Sequence, residues 1–325
     1  SPRDLKRHST AARGVIMSGA KLFSRTSWAT VITVFALVGS PSTGMAQDEP
    51  VRTVDLEMYL DLESVSGPQI APDGSEIVYT RGWVDKMNDR RESSIWIMNA
   101  DGSKNRFLVD GSGPIWSPDG TRIAYTAAGD PEGTQIFVRW MDDEGATSQV
   151  TRLESSPGGI RWSPNGEHLS FSMNVDAEPA FMVTPPGRPD GATWVESPRV
   201  VTRADYRQDR VGFVDGAWRH LFVVPAEGGT ARQLTDGDWN HSTGEWTPDG
   251  AELVFSSLRT EDSELAWRQS EVYAVDVASG GIRQLTRRNG QDFSPLPSPR
   301  GDLIAYRGSD WHDDTYRNAG IYVME

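Results

Sequence analysis

An all-β fold, a β-propeller of four-stranded blades, is predicted for this 325-residue chain by three observations. A short turn phrase returns five times, as APDG at 71–74, SPDG at 117–120, SPNG at 163–166, TPDG at 247–250 and SPRG at 298–301. Around each copy lie short runs that mix β-branched and aromatic residues in rough alternation, the pattern of strands with one buried face. Trp116, Trp162 and Trp246 stand at one slot, two residues ahead of the proline. Four strands repeated about every 40–50 residues are the mark of sheets packed radially around an axis.

In chain order, the first 46 residues differ from the rest. Lys21 and Arg25 precede an apolar stretch from Trp28 to Val38, which ends in Ser40, Pro41 and the small-residue run Gly44-Met45-Ala46. This reads as a secretory signal starting at Met17 and cleaved after Ala46, with residues 1–16 upstream of it, so the expected location is periplasmic or secreted. Residues 47–66 read as a linker and a short amphipathic helix. There Val54, Leu56, Tyr59, Leu60 and Leu62 form the apolar face, Thr53 is the N-cap, and the helix is expected to pack beside the first blade.

The propeller then occupies 67–325, with expected blades at 67–111, 112–156, 157–202, 203–241, 242–291 and 292–325. The second copy shows the unit: GPIWS, TRIAYTA, TQIFVRWM and SQVTRL are four strands separated by polar breaks. In the phrase itself proline presets φ for the first corner, Asp or Asn takes the next, and glycine accepts positive φ, so it is a strand connector. The prolines at 72, 118, 164, 248 and 299 are spaced by 46, 46, 84 and 51. The gap of 84 reads as two periods of about 42 residues with one phrase lost. On that reading the fourth blade keeps only its outer strands, in HLFVVPAEGG (220–229) and RQLTDG (232–237). Residues Pro185–Val200, rich in proline, cannot pair inside a sheet and read as a long loop. The last copy stops inside IYVME, at its third strand. About six blades are therefore expected, the sixth incomplete and a seventh missing, and the open strand edge predicts association or poor solubility of the chain alone.

The repeated tryptophans could form a ligand platform or a core. Burying roughly 200 Å² per indole at about 25 cal/mol per Å² stabilises by about 5 kcal/mol as an upper bound, which favours packing between blades. Composition excludes several classes. The formal charge of −14 opposes phosphate backbones, so no nucleic-acid partner is expected. No apolar run after position 50 reaches the length of a membrane span. Cysteine is absent, which removes disulfides, thiolate metal sites and thiol nucleophiles.

Catalytic chemistry is also missing. No glycine is followed two positions later by serine, so there is no G-x-S-x-G elbow, and no catalytic residue is assigned. The histidines at 8, 168, 220, 241 and 312 make no metal motif; His312-Asp313-Asp314 reads as a solvated acidic loop, and neither metal nor cofactor is assigned. One segment is unusual for an acidic protein: Arg199, Arg203, Arg207, Arg210 and Arg219, interleaved with Asp205, Asp209 and Asp215. Arg203, Arg207 and Arg210 are the candidate substrate contacts, able to hold carboxylates or peptide carbonyls by forked hydrogen bonds. The competing reading is a surface salt-bridge network.

The segment Val200–Gly250, with YRQD, GFVDG, HLFVVPAEGG and RQLTDGD ahead of WTPDG, resembles the propeller of secreted bacterial prolyl oligopeptidase-family serine peptidases, in particular their acylaminoacyl- and dipeptidyl-peptidase branch. Weaker similarity runs from about Val54 to Glu325. The resemblance implies a propeller that restricts entry to a following α/β-hydrolase domain, through which peptide substrates would be the partners. No convincing counterpart of a glutamate pair for a substrate amino terminus is present. Two alternatives stay open: a non-enzymatic periplasmic interaction propeller similar to the Tol-system translocation protein, and a propeller fused to a metal-dependent amidohydrolase.

Overall fold

The structure, a computed structural model, describes residues 53–177, 186–195, 201, 203–209, 212–214, 216–266, 268–314 and 318–325, and everything below concerns these. The leader therefore lies outside the described residues.

Five antiparallel sheets follow one another. The first holds β1 (Ser64–Ile70), β2 (Glu76–Asp85), β3 (Arg90–Asn99) and β4 (Arg106–Asp110), hydrogen-bonded in that order. The second holds β5 (Ser112–Trp116), β6 (Arg122–Gly129), β7 (Gly133–Trp140) and β8 (Thr147–Gln149). In the third, β9 (Gly158–Trp162) pairs with β10 (His168–Asp176), and β10 pairs along its whole length with β13 (Ala217–Pro225), from His168 opposite Pro225 to Asp176 opposite Ala217. The outer strand of that sheet is β14 (Arg232–Gln233); the hairpin β11 (Arg207–Gln208) and β12 (Gly212–Phe213) is set apart from it. The fourth sheet is β15 (Glu245–Trp246), β16 (Glu252–Ser257), β17 (Glu271–Asp276) and β18 (Ile282–Gln284). The fifth has three strands, β19 (Gly290–Pro297), β20 (Ile304–Asp310) and β21 (Gly320–Met324).

The propeller of four-stranded blades is thus present, but its division differs from the expected one. The third and fourth blades expected at 157–202 and 203–241 are a single sheet, whose second and third strands are separated by an insertion spanning 177–216. The gap of 84 is one blade step lengthened, not two steps with a lost phrase.

The tryptophans show why. Trp116 donates its indole N–H to the carbonyl of Gln69 at 3.1 Å, Trp162 to Ile115 at 3.2 Å and Trp246 to Arg161 at 3.4 Å. Each acceptor directly precedes the slot residue of the blade before, so Trp246 reaches the blade of Trp162 with nothing between them. Trp162 is buried and packs with Ala124, Ile136 and Val138 of the second blade and Leu169 and Phe171 of its own. Trp116 and Trp246 are half-buried against the neighbouring clusters, so the repeated indole is core, as the energetics favoured.

At one rim the turn phrases repeat the same bonds. The glycine N–H donates to the carbonyl three residues back in all five, from Gly74–Ala71 to Gly301–Ser298, at 2.8–2.9 Å. The hydroxyl ahead of the proline bonds the next polar residue, as Ser117 to Asp119 and Thr247 to Asp249. The turns between third and fourth strands share this rim, because Ala100, Met141, Ala226 and Val277 donate to carbonyls just after the phrases.

The helix is smaller than expected. It covers Leu56–Leu60 only, its N-cap is Asp55 rather than Thr53, with the Met58 N–H donated to Asp55 Oδ1 at 2.7 Å, and it buries nothing. Leu56 is 87% exposed and Tyr59 62%. Five residues give less than a turn and a half, and the chain enters β1 by Ser64, so the segment is tied to the first blade by the ion pairs Glu63–Arg81 and Asp61–Lys86 and not by its apolar face.

Candidate functional site

Antiparallel alternation puts the first-to-second and third-to-fourth connections of every blade on one rim and the second-to-third connections on the other. The first rim is built of short, nearly identical turns. The second rim varies from blade to blade: a tight link 130–132, the insertion 177–216, the segment 258–270 and the segment 311–319. Binding residues concentrate on variable loops held by a rigid scaffold, so this second rim is the candidate surface.

A cavity of about 140 Å³ opens there between the insertion and the fourth blade, walled by Arg203, Asp205, Trp218, Trp239, Leu258 and Glu264. Arg203 forks onto Asp205, with Nε to Oδ1 at 3.0 Å and Nη2 to Oδ2 at 2.8 Å. Its Nε also lies 3.3 Å from Glu264, and its guanidinium sits 3.9 Å from the centre of the Trp218 ring. Glu264 accepts the Ala204 N–H at 2.8 Å, so one carboxylate of the fourth blade holds the third blade's insertion by a side chain and a backbone group. Replacing Glu264 with alanine removes both bonds. A loss of about 1 kcal/mol should raise the open population of this segment about fivefold, read as faster tryptic cleavage after Arg203 and Arg207 with the global unfolding midpoint nearly unmoved. Equal cleavage rates would refute the clasp.

The three arginines proposed as substrate contacts are not equivalent. Arg203 faces the cavity with its fork already engaged. Arg207 stands exposed on β11, its guanidinium 5.8 Å from the Phe213 ring, beside Tyr206, whose ring lies 6.2 Å from that of Phe213. Arg210 lies outside the described residues, as does Arg199. Of the proline-rich loop, residues 186–195 are described and carry no strand, with Trp194 51% exposed.

Behind the cavity is a group that the spacing of the histidines concealed. His241 is fully buried, and its ring lies 5.2 Å from that of His220, which is 4% exposed. The His241 Nδ1–H donates to the Arg219 carbonyl at 2.9 Å, so Nε2 is the acceptor for Arg259 Nη1, also at 2.9 Å. Arg259 in turn lies 4.6 Å from the centre of the Trp239 ring, a wall of the cavity. Burial, opposed by the Arg219 carbonyl and assisted by the neighbouring His220 and Arg259, pushes His241 down to about 4. His220 is lowered chiefly by burial as well. The one sequence signal for this group is His220, a histidine in a segment that otherwise reads as strand; His241 falls in the polar run 236–244 and carries none.

A third repeat sits at the same end of the blades. Thr151, Thr235 and Thr286 each accept a strand N–H, from Ile136, Leu221 and Val272 at 2.9, 3.0 and 2.9 Å. Each hydroxyl also meets the polar residue preceding that strand position, Gln135, His220 or Glu271. His220 is thus partly a member of a structural repeat; burial raises the Glu271 carboxyl at the equivalent place.

Comparison with known proteins gives a consistent picture. Residues 188–311 match the family described as the dipeptidyl peptidase IV N-terminal region. The chain is 28% identical over 217 residues to the peptidase YuxL of Bacillus subtilis, covering 65% of this chain and 32% of that one. It is 24% identical over 293 residues to dipeptidyl-peptidase 5 of Porphyromonas endodontalis, covering 85% of this chain and 41% of the relative. Among solved structures, an acylaminoacyl peptidase in complex with Z-Gly-Gly-Phe-chloromethyl ketone superposes with a TM-score of 0.63 at 18% identity, over 83% of this chain and 39% of that one, a likeness of fold. The chain thus spans less than half the length of each of these relatives.

Proposed function

We propose that this chain is the N-terminal propeller region of a prolyl oligopeptidase-family peptidase, and that its variable rim gates peptide access to a hydrolase domain in the whole protein. The observation that supports this most directly is the contrast between the two rims: uniform turns on one, and on the other an insertion clasped over a cavity. Arg207, exposed on the hairpin, is the group offered to a peptide carbonyl or carboxylate, while Arg203, its fork engaged by Asp205 and Glu264, would meet a peptide at the cavity wall only by exchanging those partners. The family match across 188–311 takes in most of this insertion and the fourth blade, which favours the peptidase reading over a non-enzymatic Tol-like partner-binding propeller. The proposed chemistry of the whole protein is hydrolysis of short peptides, of dipeptidyl or acylaminoacyl type, after export by the leader.

The test uses the complete gene product. Hydrolysis of a short chromogenic peptide is compared with that of a long one, in the native protein and in a variant whose residues 186–209 are replaced by a short Asn-Gly turn. Loss of a barrier of about 1.4 kcal/mol predicts a tenfold rise in relative kcat/KM for the long peptide. Absence of peptidase activity in the native protein would overturn the reading; an unchanged ratio would overturn the gate.

A further inference from the structure

Two hydrogen bonds leave the His241 ring one permitted state. Nδ1 must carry the proton, because it faces the Arg219 carbonyl, and Nε2 must not, because it faces the Arg259 guanidinium. Addition of a proton would set an N–H against N–H contact at 2.9 Å between two cations. No movement of the ring relieves this while Nδ1 keeps its carbonyl, so the side chain free to move is Arg259. That side chain covers Trp239, and among the described residues its other hydrogen bond is a long one, 3.5 Å, to the Asp236 carbonyl.

We propose that His241 is a proton-operated latch: protonation ejects Arg259 from Trp239 and opens the wall of the cavity between the third and fourth blades. The charged and titratable surroundings favour this outcome over simple tolerance of the proton. His220 on β13 faces the ring at 5.2 Å, its Nδ1 in hydrogen-bond contact with the Thr235 hydroxyl at 3.3 Å. From the segment after β14, Asp236 offers both His241 and His220 an opposing charge, and Asp238 adds a smaller one at His220. From the fourth blade come Arg259, the Phe255 ring edge at 5.3 Å, and Ser257, which bridges His241 and pairs with Glu271. Beyond the Arg219 carbonyl, already bonded at Nδ1, the nearest groups are a second histidine, an arginine and an apolar ring, none of which is an acceptor for a proton added at Nε2. The inference does not rest on the peptidase reading, since its readout needs no peptide.

Acrylamide quenching of tryptophan fluorescence in the full chain, followed by acid titration with far-UV circular dichroism alongside, tests it. Quenching is expected to step up between the ordinary histidine value of 6.5 and about 4, while the β signal holds. Trp239→Phe should remove the step, identifying which of the twelve tryptophans reports it. His241→Gln, which keeps a neutral donor and acceptor, should also lose the step and stay closed. Arg259→Met, at a partly exposed side chain and independent of whether the glutamine variant folds, should be open at neutral pH and show no step. A step that survives in His241→Gln or Arg259→Met, no step in a chain still folded, or a step that coincides with loss of the β signal would each overturn the latch.

Discussion

Replacing Trp162 with alanine is expected to lower the unfolding free energy by about 3–5 kcal/mol, measured as a shift of the urea midpoint. The indole is 8% exposed and lies in the seam between the second and third blades, against Ala124, Ile136 and Val138 on one side and Leu169 and Phe171 on the other. Truncation removes this apolar contact, leaves the Ile115 carbonyl without the indole donor at 3.2 Å, and strips the ring from beneath the Arg122 guanidinium, 4.9 Å from its centre. Collapse cannot refill the space, because strands on both sides are fixed by their ladders. The equivalent change at half-buried Trp246, with its longer bond of 3.4 Å, should cost less. If the two variants unfold at the same midpoint, the seam does not derive its stability from the indole of Trp162.

The second large effect is expected at Gly111, between β4 and β5. Its φ is +141°, and a Cβ there would lie 2.6 Å from the Thr126 carbonyl oxygen and 2.8 Å from Tyr125 Cδ2. Neither neighbour can move freely: Thr126 is in β6, and the Tyr125 ring is 1% exposed and stacked on Phe137 at 5.8 Å. Gly111→Ala therefore combines backbone strain of about 1–3 kcal/mol with overpacking of about 1–3 kcal/mol. Gly113 is the control. Its φ is +64°, and no heavy atom lies within 4 Å of the built Cβ, so Gly113→Ala should cost only the left-handed conformation, about 1–2 kcal/mol. Equal thermal midpoints for the two alanine variants would remove the collision from the account.

Much of the architecture was legible because its signals are short-range. A turn phrase closes a bond from glycine to the residue three before it, and alternation along a strand spans five to ten residues, so both can be read from neighbours in sequence. The second and fourth sheets follow the segments assigned to them closely, as do the strand assignments of GPIWS and TRIAYTA. What failed was a long-range inference. HLFVVPAEGG and RQLTDG read as the outer strands of a separate blade, whereas their inner strands are β9 and β10, on the other side of the insertion. The turn phrase occurs once per sheet, and five phrases matched five sheets; counting phrases, rather than dividing the distance between them, was the available signal.

The site was less legible for the same reason. The arginines of the insertion are conspicuous in the sequence, and Arg203 does reach a cavity. Its clasp partner Glu264 is 61 residues away, and nothing in local spacing connects them. His220 and His241, read as scattered, meet ring to ring because β13 and the entry to the fourth blade converge at the variable rim. The amphipathic pattern at 53–65 was real, but only the structure shows that it caps at Asp55 and leaves its apolar face exposed.

The sequence by itself determined the blade unit, its turns and its interblade indoles, since each depends on residue type at fixed local spacing. The tertiary structure alone decided which strands share a sheet across the insertion at 177–216, and which charged and titratable groups face one another beneath it. Those choices turn on burial and on backbone pairing between distant segments, where the free energy belongs to the contact and not to either partner.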